Sequence, residues 1–278
     1  MTLPGIIRRW GRESYAGPQR PFDAVSAARA QNDASMRAVI TAGGLVDGEF
    51  AAAIRTHVKA LAPFGSRTLL DVVLDACAGA GIDGVAVIGG SEVRAHLAGR
   101  EARVIDAALD GGTNVLRALD AWPGERFVYL TSDVPFASAG GLRELIARSS
   151  DYALTMALAG VGAYEARFPG AGEHSVTLGG ERVANGNAFV IAPAAVEPAR
   201  TFATKLFDAR KSLPRLALLL GPALCWRFAT KRLTIADLEA DGRRRLGVAV
   251  GALRDCDPGL CYDVDSLDDY RYACTHSA

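Results

Sequence analysis

The chain has 278 residues, of which 50% are hydrophobic and 7% aromatic, so it can bury a sizeable aliphatic core and fits one elaborated domain better than two. Its 31 basic and 31 acidic side chains give a formal net charge of zero, which argues against a nucleic-acid or acidic-membrane partner attracted by bulk charge. The five scattered cysteines and four histidines match neither a disulfide framework nor a zinc site.

Residues 1–36 differ from the rest of the chain. They are polar, contain several arginines and show neither strand nor helix periodicity. We expect one of three explanations. The segment is a poorly ordered leader, the protein truly starts at Met36, or the segment is a short docking arm. No apolar h-region follows the arginines, and no apolar stretch is long enough to span a membrane, so we expect a cytoplasmic protein.

From residue 37 onward, strands and helices alternate. Short apolar runs predict the strands, and apolar residues at helical spacing predict the helices between them. In chain order we predict a strand at 37–42, a helix at 68–81, a strand at 84–89, a helix at 92–97, a strand at 103–105, a helix at 114–122, a strand at 126–131 and a helix at 140–148. This order predicts an α/β fold, with a mostly parallel sheet and helices on both faces.

The second half is less regular, but we expect it to belong to the same domain, which would span residues 37–278. We predict strands at 152–158, 175–178 and 188–191, a helical block at about 195–246 broken at Pro214 and Gly221-Pro222, strands near 248–253 and 261–264, and a closing helix from Ser266. Within the block, we expect the apolar stretch 213–233 to form packed helices that serve as a lid or subunit contact. An interfacial membrane helix is the minority interpretation.

Two candidate site segments follow predicted strands, where open α/β sheets bind ligands. Gly43 and Gly44 would let backbone amides approach a phosphate. Lys59 comes fifteen residues after Gly44 and could return its ammonium to that phosphate, although a solvated loop lysine explains it as well. Asp133 follows the strand at 126–131 and could hold Mg²⁺, or be a turn or cap aspartate.

Near the C-terminus, acidic residues form a third candidate segment. Asp263 and Asp265 alternate at a predicted strand end and would share a face, so one of them could complete a metal site. Asp268 and Asp269 fall in the first turn of the predicted closing helix, where we interpret them as structural because acidic side chains stabilise a helix N-terminus.

Further segments allow both functional and structural interpretations. The glycine turn at 110–114 could contact a nucleobase or cap a helix at Thr113. Asn187 could orient a sugar or an acceptor, or belong to a hairpin turn at 185–187. Arg210 and Lys211 open the helical block and could bind an acceptor phosphate, or lie at a solvated helix end.

Taken together, these segments resemble the MobA-like NTP transferase family, whose domain is GT-A-like. The resemblance covers about residues 37–273. It rests on VITAGG at 39–44, on KALAPFGSRTLL at 59–70, on SDVP at 132–135, on GNAF at 186–189 and on DVDSLDD at 263–269. It extends to a less-characterised bacterial branch of nucleotidyltransferases. The acidic segment LVDGEF at 45–50 departs from the arginine-containing loop of better-known members.

The resemblance implies nucleotidyl transfer, in which an acceptor phosphate attacks the α-phosphorus of a nucleoside triphosphate in line and pyrophosphate leaves. Positioning and charge neutralisation would supply most of the catalysis. The implied roles are Mg²⁺ binding by Asp133 with Asp265 or Asp263, charge stabilisation by Lys59, nucleotide binding by Ala42, Gly43, Gly44, Gly112, Thr113 and Asn114, and acceptor binding by Asn187, Arg210 and Lys211.

Two other functions are weighed beside this one. A GT-A glycosyltransferase using a nucleotide sugar would carry a D-x-D motif at the end of the central strand, where this chain has Ser-Asp-Val-Pro at 132–135. A nucleotide-binding module without turnover is the other alternative. We expect small-molecule partners and no nucleic acid, and leave a homo-oligomer open.

Overall fold

The computed structural model describes residues 36–172, 175–209 and 212–277. The predicted leader, apart from Met36, lies outside the described residues, as do Arg210 and Lys211. Within the described part of the chain, no helix combines the length and the apolarity needed to cross a membrane.

An eight-stranded sheet forms the centre of the molecule. Its strands are β1 (Arg37–Thr41), β4 (Gly84–Gly89), β5 (Ala102–Asp106), β6 (Phe127–Thr131), β7 (Leu154–Gly160), β8 (Ser175–Leu178), β9 (Glu181–Ile191) and β10 (Val250–Leu253). They lie in the order β10-β7-β9-β6-β1-β4-β5, with β8 paired to β9. Strand β9 runs antiparallel to β6, β7 and β8, and the other pairs are parallel. The predicted mostly parallel sheet is confirmed. A separate two-stranded sheet pairs β2 (Pro63–Phe64) with β3 (Arg67–Thr68).

Helices cover both faces of the sheet. They are α1 (Gly48–Ile54), α2 (Leu69–Gly79), α3 (Ser91–His96), α4 (Gly111–Leu119), α5 (Ala139–Arg148), α6 (Val161–Arg167), α7 (Pro193–Ala209), α8 (Leu213–Leu220), α9 (Pro222–Ala229), α10 (Ile235–Leu246) and α11 (Leu267–Thr275). Alternation along β1 shows the two layers, because Ile40 joins the core that includes Leu70 of α2, whereas Val39 joins the core that includes Ala118 of α4.

Helix starts follow from local capping chemistry. The residue before the helix is Thr68 at α2, Thr234 at α10 and Ser266 at α11. In each case its side chain accepts a hydrogen bond from the amide of the aspartate three residues later, and that aspartate's side chain accepts one from its amide. Such capping boxes fix where a helix can begin. They explain why the predicted starts of α2 and of the closing helix agree with the structure to within a residue.

Several predicted elements need correction. Residues 185–187 are not a hairpin turn, because β9 continues through them. A Cβ at Gly186 would collide with the carbonyl oxygen of Ala157, so this glycine allows a close approach of β7 rather than a turn. Residues 261–264 are not a strand, although the amide of Val264 is hydrogen-bonded to Asp133 O. Helix α4 begins at Gly111 with Asp110, not Thr113, as its cap. Helix α6 was not predicted at all.

Candidate functional site

The first site segment and Asp133 lie side by side at one edge of the sheet. Strands β1 and β6 are parallel and in register to their ends, where Thr41 is paired with Thr131. Beyond those ends, Ser132 N donates a hydrogen bond to Thr41 O over 3.1 Å, and Ala42 N donates to Ile88 O of β4 over 2.8 Å. The carboxyl ends of three parallel strands therefore bring the glycine turn and Asp133 together, as expected of a ligand site in this class of sheet.

Lys59 returns to Gly44 through backbone pairing. Leu45 forms an antiparallel bridge with Val58, and Lys59 N donates to Gly44 O over 3.0 Å. Helix α1 forms most of the segment between Leu45 and Val58. The predicted long loop therefore contains a helix, and its two ends are paired with each other. This pairing holds Lys59 beside the glycine turn.

Asp265 reaches the site because of an anchor on its neighbour. The buried Val264 donates its amide to the carbonyl oxygen of Asp133 over 3.0 Å. This contact ties the segment before α11 to the segment after β6. As a result, the Lys59 ammonium contacts Asp133 Oδ2 and lies 3.2 Å from Asp265 Oδ1.

Two of the three charged side chains are largely shielded from water. The side chains of Lys59 and Asp133 are 15% and 11% exposed, whereas that of Asp265 is 67% exposed. Burial opposes the charge on Lys59, but the neighbouring carboxylates of Asp133 and Asp265 outweigh it and raise the pKa of the ammonium. The lysine is therefore charged at neutral pH.

Asp133 also carries an oxygen without a protein partner. Its Oδ1 is buried and accepts no hydrogen bond within the described part of the chain. A buried, unsatisfied carboxylate oxygen is costly unless something else binds it. The donor set fits Mg²⁺, which is commonly held by one or two carboxylates together with substrate phosphates. Among the described residues, no group of three or more acidic, histidine or cysteine side chains could hold a metal alone, so substrate oxygens would have to complete the shell.

The glycine turn leaves backbone amides available. Within the described residues, no hydrogen bond uses the amide nitrogens of Gly43 and Gly44. A Cβ at Gly43 would lie 2.9 Å from Ala107 Cβ and 3.1 Å from Asn114 Nδ2, whereas a Cβ at Gly44 would meet Lys59 carbons only at 3.6 Å or more. Gly43 is therefore required by close packing, and Gly44 is not.

The predicted nucleotide-binding segment at 112–114 performs structural tasks. Asn114 is buried, accepts a hydrogen bond from Ala108 N at 2.7 Å and donates to Ala108 O at 3.1 Å. Thr113 donates its amide and hydroxyl to Asp110, and a Cβ at Gly112 would lie 2.7 Å from the ring of Phe207 in α7. Of the three, Asn114 is the one that touches the glycine turn. Contact of this segment with a nucleotide stays a prediction.

The remaining predicted residues lie at different distances from this centre. The register of β9 pairs Ala188 with Leu130, so Asn187 comes level with the end of β6. Asp263 acts on the aromatic core: burial raises the pKa of Tyr164, and the charge of Asp263 adds to that effect. The structure thus brings Asp265 rather than Asp263 to Lys59.

Two side chains of β6 border the site and were not predicted. The Tyr129 hydroxyl lies 3.2 Å from Thr41 Oγ1, and Thr131 Oγ1 is buried without a partner in the described residues. Burial raises the pKa of Tyr129, and the charge of Asp133 contributes. Their period-two spacing along β6, which ends two residues before Asp133, is the sequence signal that could have found them.

Comparison with known proteins gives matches over most of the chain. A family model described as the MobA-like NTP transferase domain matches residues 38–228. A hypothetical transferase from Thermus thermophilus is 26% identical, with a TM-score of 0.74 over 84% of this chain and 99% of that one. No curated protein matches the chain.

More distant solved structures share the fold. A nucleotidyl transferase from Methanothermobacter thermautotroptrophicus is 16% identical, with a TM-score of 0.52 over 87% of this chain and 97% of that one. A 4-diphosphocytidyl-2C-methyl-D-erythritol synthase from Anaerococcus prevotii is 10% identical, with a TM-score of 0.53 over the same shares, 87% and 97%.

Proposed function

Because the chain belongs to the MobA-like NTP transferase family, we propose that it is a Mg²⁺-dependent nucleotidyltransferase that transfers a nucleoside monophosphate from a nucleoside triphosphate to a small phosphorylated acceptor. Nucleotidyl transfer itself follows from the family. The metal and the acceptor class are the proposal. The observation that carries it is the buried Asp133 carboxylate, which has one oxygen on Lys59 and the other without a partner among the described residues.

In the proposed reaction, an acceptor phosphate oxygen attacks the α-phosphorus, the bond to the β-phosphate breaks and pyrophosphate leaves. An anionic phosphate is already a nucleophile, so the site needs no general base. Asp133 and Asp265 would hold Mg²⁺, and the chemistry that the metal supplies when bound is neutralisation of phosphate charge and alignment of the α-phosphate.

Lys59 and the glycine turn would stabilise the transition state. The Lys59 ammonium is charged and held by two carboxylates, so it would meet the reacting oxygens from a position that is already fixed. The amides of Gly43 and Gly44 add donors on the neighbouring strand end. Fixed donors in a partly dry site stabilise developing charge far better than water does.

The acidic segment after Gly44 does not remove this machinery. Residues 45–50 lead into α1, and the backbone hydrogen bond from Lys59 N to Gly44 O after that helix keeps Lys59 beside the glycine turn. This arrangement supports catalysis over a module that only binds nucleotide, and the family supports nucleotidyl transfer over glycosyl transfer. The cytoplasmic location stays a prediction, as do the acceptor roles of Asn187, Arg210 and Lys211.

The experiment is a pyrophosphate-release assay with each of the four nucleoside triphosphates against a panel of phosphorylated acceptors. We expect release with an acceptor and Mg²⁺, none with EDTA, and a loss of at least 100-fold in kcat for Asp133→Asn. The exposed pair of Arg67 with Asp75 supplies a control, because Asp75→Asn should release pyrophosphate at the wild-type rate. Release that ignores EDTA or Asp133→Asn would contradict the proposal. Release of a nucleoside diphosphate from a nucleotide sugar would indicate glycosyl transfer instead.

A further inference from the structure

A cavity of about 400 Å³ lies between the sheet and helices α9 and α10. Its lining is almost entirely apolar and includes Met156, Leu158, Phe189, Phe228, Leu233 and Ile235. A void of about 150 Å³ lined by such side chains is already large enough to bind benzene. Because protein interiors are otherwise packed without voids of this size, the cavity has the volume and lining of a ligand site.

The mouth of the cavity is apolar as well. Of six large apolar side chains that are exposed in the described part of the chain, four lie in α8, α9 and α10: Leu218, Trp226, Phe228 and Leu238. Phe228 and Leu238 also line the cavity and are 62% and 41% exposed. Such a concentration of exposed apolar surface marks a binding site more often than chance.

Two polar side chains, one of them acidic, line the cavity, and a basic turn precedes its lining residue Leu233. Asn185 is at the lining, and Glu239 is oriented by accepting a hydrogen bond from Ala252 N over 2.9 Å. Lys231 and Arg232 are exposed in the turn that leads into Leu233. An apolar volume whose lining residue Leu233 follows a basic turn is complementary to an anionic amphiphile.

The polar end of the cavity faces the edge of the sheet that carries Lys59. Leu233 belongs to one buried cluster with Leu158 and Val183. Leu158 and Val183 both lie among the residue pairs that join β7 to β9 near the carboxyl end of β7. Strands β6 and β7 are both antiparallel to β9, so their carboxyl ends lie at the same edge. The basic turn is therefore on the site side of the cavity.

Strand β9 connects the cavity to the site. Phe189 lines the cavity, and Asn187, two residues earlier in the same strand, comes level with the end of β6. Phe189 packs edge-on against Tyr129 with ring centroids 5.9 Å apart, and Tyr129 reaches Thr41 at the glycine turn.

We propose that the acceptor is an amphiphile, whose hydrocarbon chain occupies this cavity and whose phosphate lies at the basic end toward Asn187. This inference rests on the proposed function and names its acceptor class. The hydrocarbon chain of the acceptor would be buried by the sheet and by α9 and α10. The phosphate oxygen would be the group that attacks the α-phosphorus, with pyrophosphate leaving as described above.

The test measures binding without turnover, by titrating the protein with hexyl phosphate, decyl phosphate and inorganic phosphate below the concentrations at which micelles form. Each buried methylene adds roughly fourfold in affinity, so decyl phosphate should bind about 200-fold more tightly than hexyl phosphate. Inorganic phosphate should show no comparable binding. An affinity that does not depend on chain length would overturn the proposal.

Variants locate the binding. Ala252→Leu fills part of the cavity, and displacing about three methylenes should weaken decyl phosphate binding by about 50-fold. Ala240→Leu makes the same change at an exposed position of α10 and should bind as the wild type does. Leu238→Gln, at a partly exposed position of the rim, gives a second test if Ala252→Leu fails to fold. Wild-type affinity in both cavity variants would place the ligand elsewhere.

Two further measurements separate the alternatives. Asp133→Asn should bind decyl phosphate as the wild type does while losing transfer, so a failure of catalysis and a failure of this site are distinguishable. If the wild type transfers to a short phosphorylated acceptor but does not bind decyl phosphate, the proposed function stands and this inference is wrong. Sedimentation showing a dimer that Leu238→Gln dissociates, without decyl phosphate binding, would assign the apolar surface to a second copy of the chain.

Discussion

Replacing Lys59 with methionine tests the electrostatics of the site most sharply. Methionine keeps much of the volume of the lysine stem but leaves the Asp133 carboxylate, 11% exposed in the wild type, without its ammonium partner. Because one oxygen of that carboxylate already lacks a partner in the part of the chain that the structure describes, the variant contains an almost uncompensated buried charge. Breaking a largely buried pair in this way costs about 3 kcal/mol of unfolding free energy, or about 6–12 °C in melting temperature for a domain of this size.

Two additional changes separate charge from packing. The double variant Lys59→Met with Asp133→Asn removes both charges, so it should be more stable than the sum of the single changes predicts, by about 1–3 kcal/mol. Mg²⁺ should stabilise Lys59→Met more than it stabilises the wild type, because the metal would compensate the carboxylate that the lysine leaves behind.

Urea unfolding at neutral pH, with and without Mg²⁺, measures all four proteins. Arg67→Met is the matched control, since it removes a cation from an exposed pair whose side chains are 50% and 57% exposed and should cost less than about 1 kcal/mol. A Lys59→Met protein as stable as the wild type, or single changes that simply add, would refute the reasoning.

Three other predictions concern the surroundings of the site. Gly43→Ala should raise KM for the nucleoside triphosphate by about tenfold or more, because its Cβ would press on Ala107 and Asn114, whereas Gly44→Ala should change KM less than about threefold; equal effects in steady-state kinetics would contradict the packing argument. Asn114→Ala should cost about 1–3 kcal/mol in urea unfolding, because both backbone groups of Ala108 lose their partner, and a neutral result would contradict that role. For Asp71, burial opposes ionisation, but hydrogen bonds from His96 and Thr68 outweigh it and lower its pKa from 3.8 to about 2; the wild type should therefore lose about 1–2 kcal/mol of stability as pH falls from about 4 to 2, and Asp71→Asn should lack that loss, so parallel pH profiles of the two would refute it.

The sheet was predictable because its signals are local. The apolar runs of β1, β4 and β6 alternate with helical spacing in α2 and α5, and capping residues such as Thr68 mark the boundaries. The same locality misled the prediction at 185–187, where Asn-Gly-Asn has the composition of a turn. What decides the conformation there is the approach of Ala157 from β7, which is a contact distant in sequence.

The site was predictable in its members more than in its geometry. Spacing suggested Lys59 and Asp133, but only the pairing of Leu45 with Val58 shows how the lysine returns. The choice between Asp263 and Asp265 depended on the hydrogen bond from Val264 to Asp133, which no local pattern encodes. The cavity under α9 and α10 was equally hidden, because its walls come from strands and helices far apart in the chain.

The central claim is that Lys59 and Asp133 act on one metal-bound triphosphate, and a crystal structure with Mn²⁺ and a non-hydrolysable nucleoside triphosphate analogue tests it directly. The account predicts anomalous density for the metal on Asp133 Oδ1, with the Lys59 ammonium in contact with a phosphate oxygen of the same ligand. A nucleotide bound elsewhere, with Lys59 and Asp133 still paired only with each other, would contradict it.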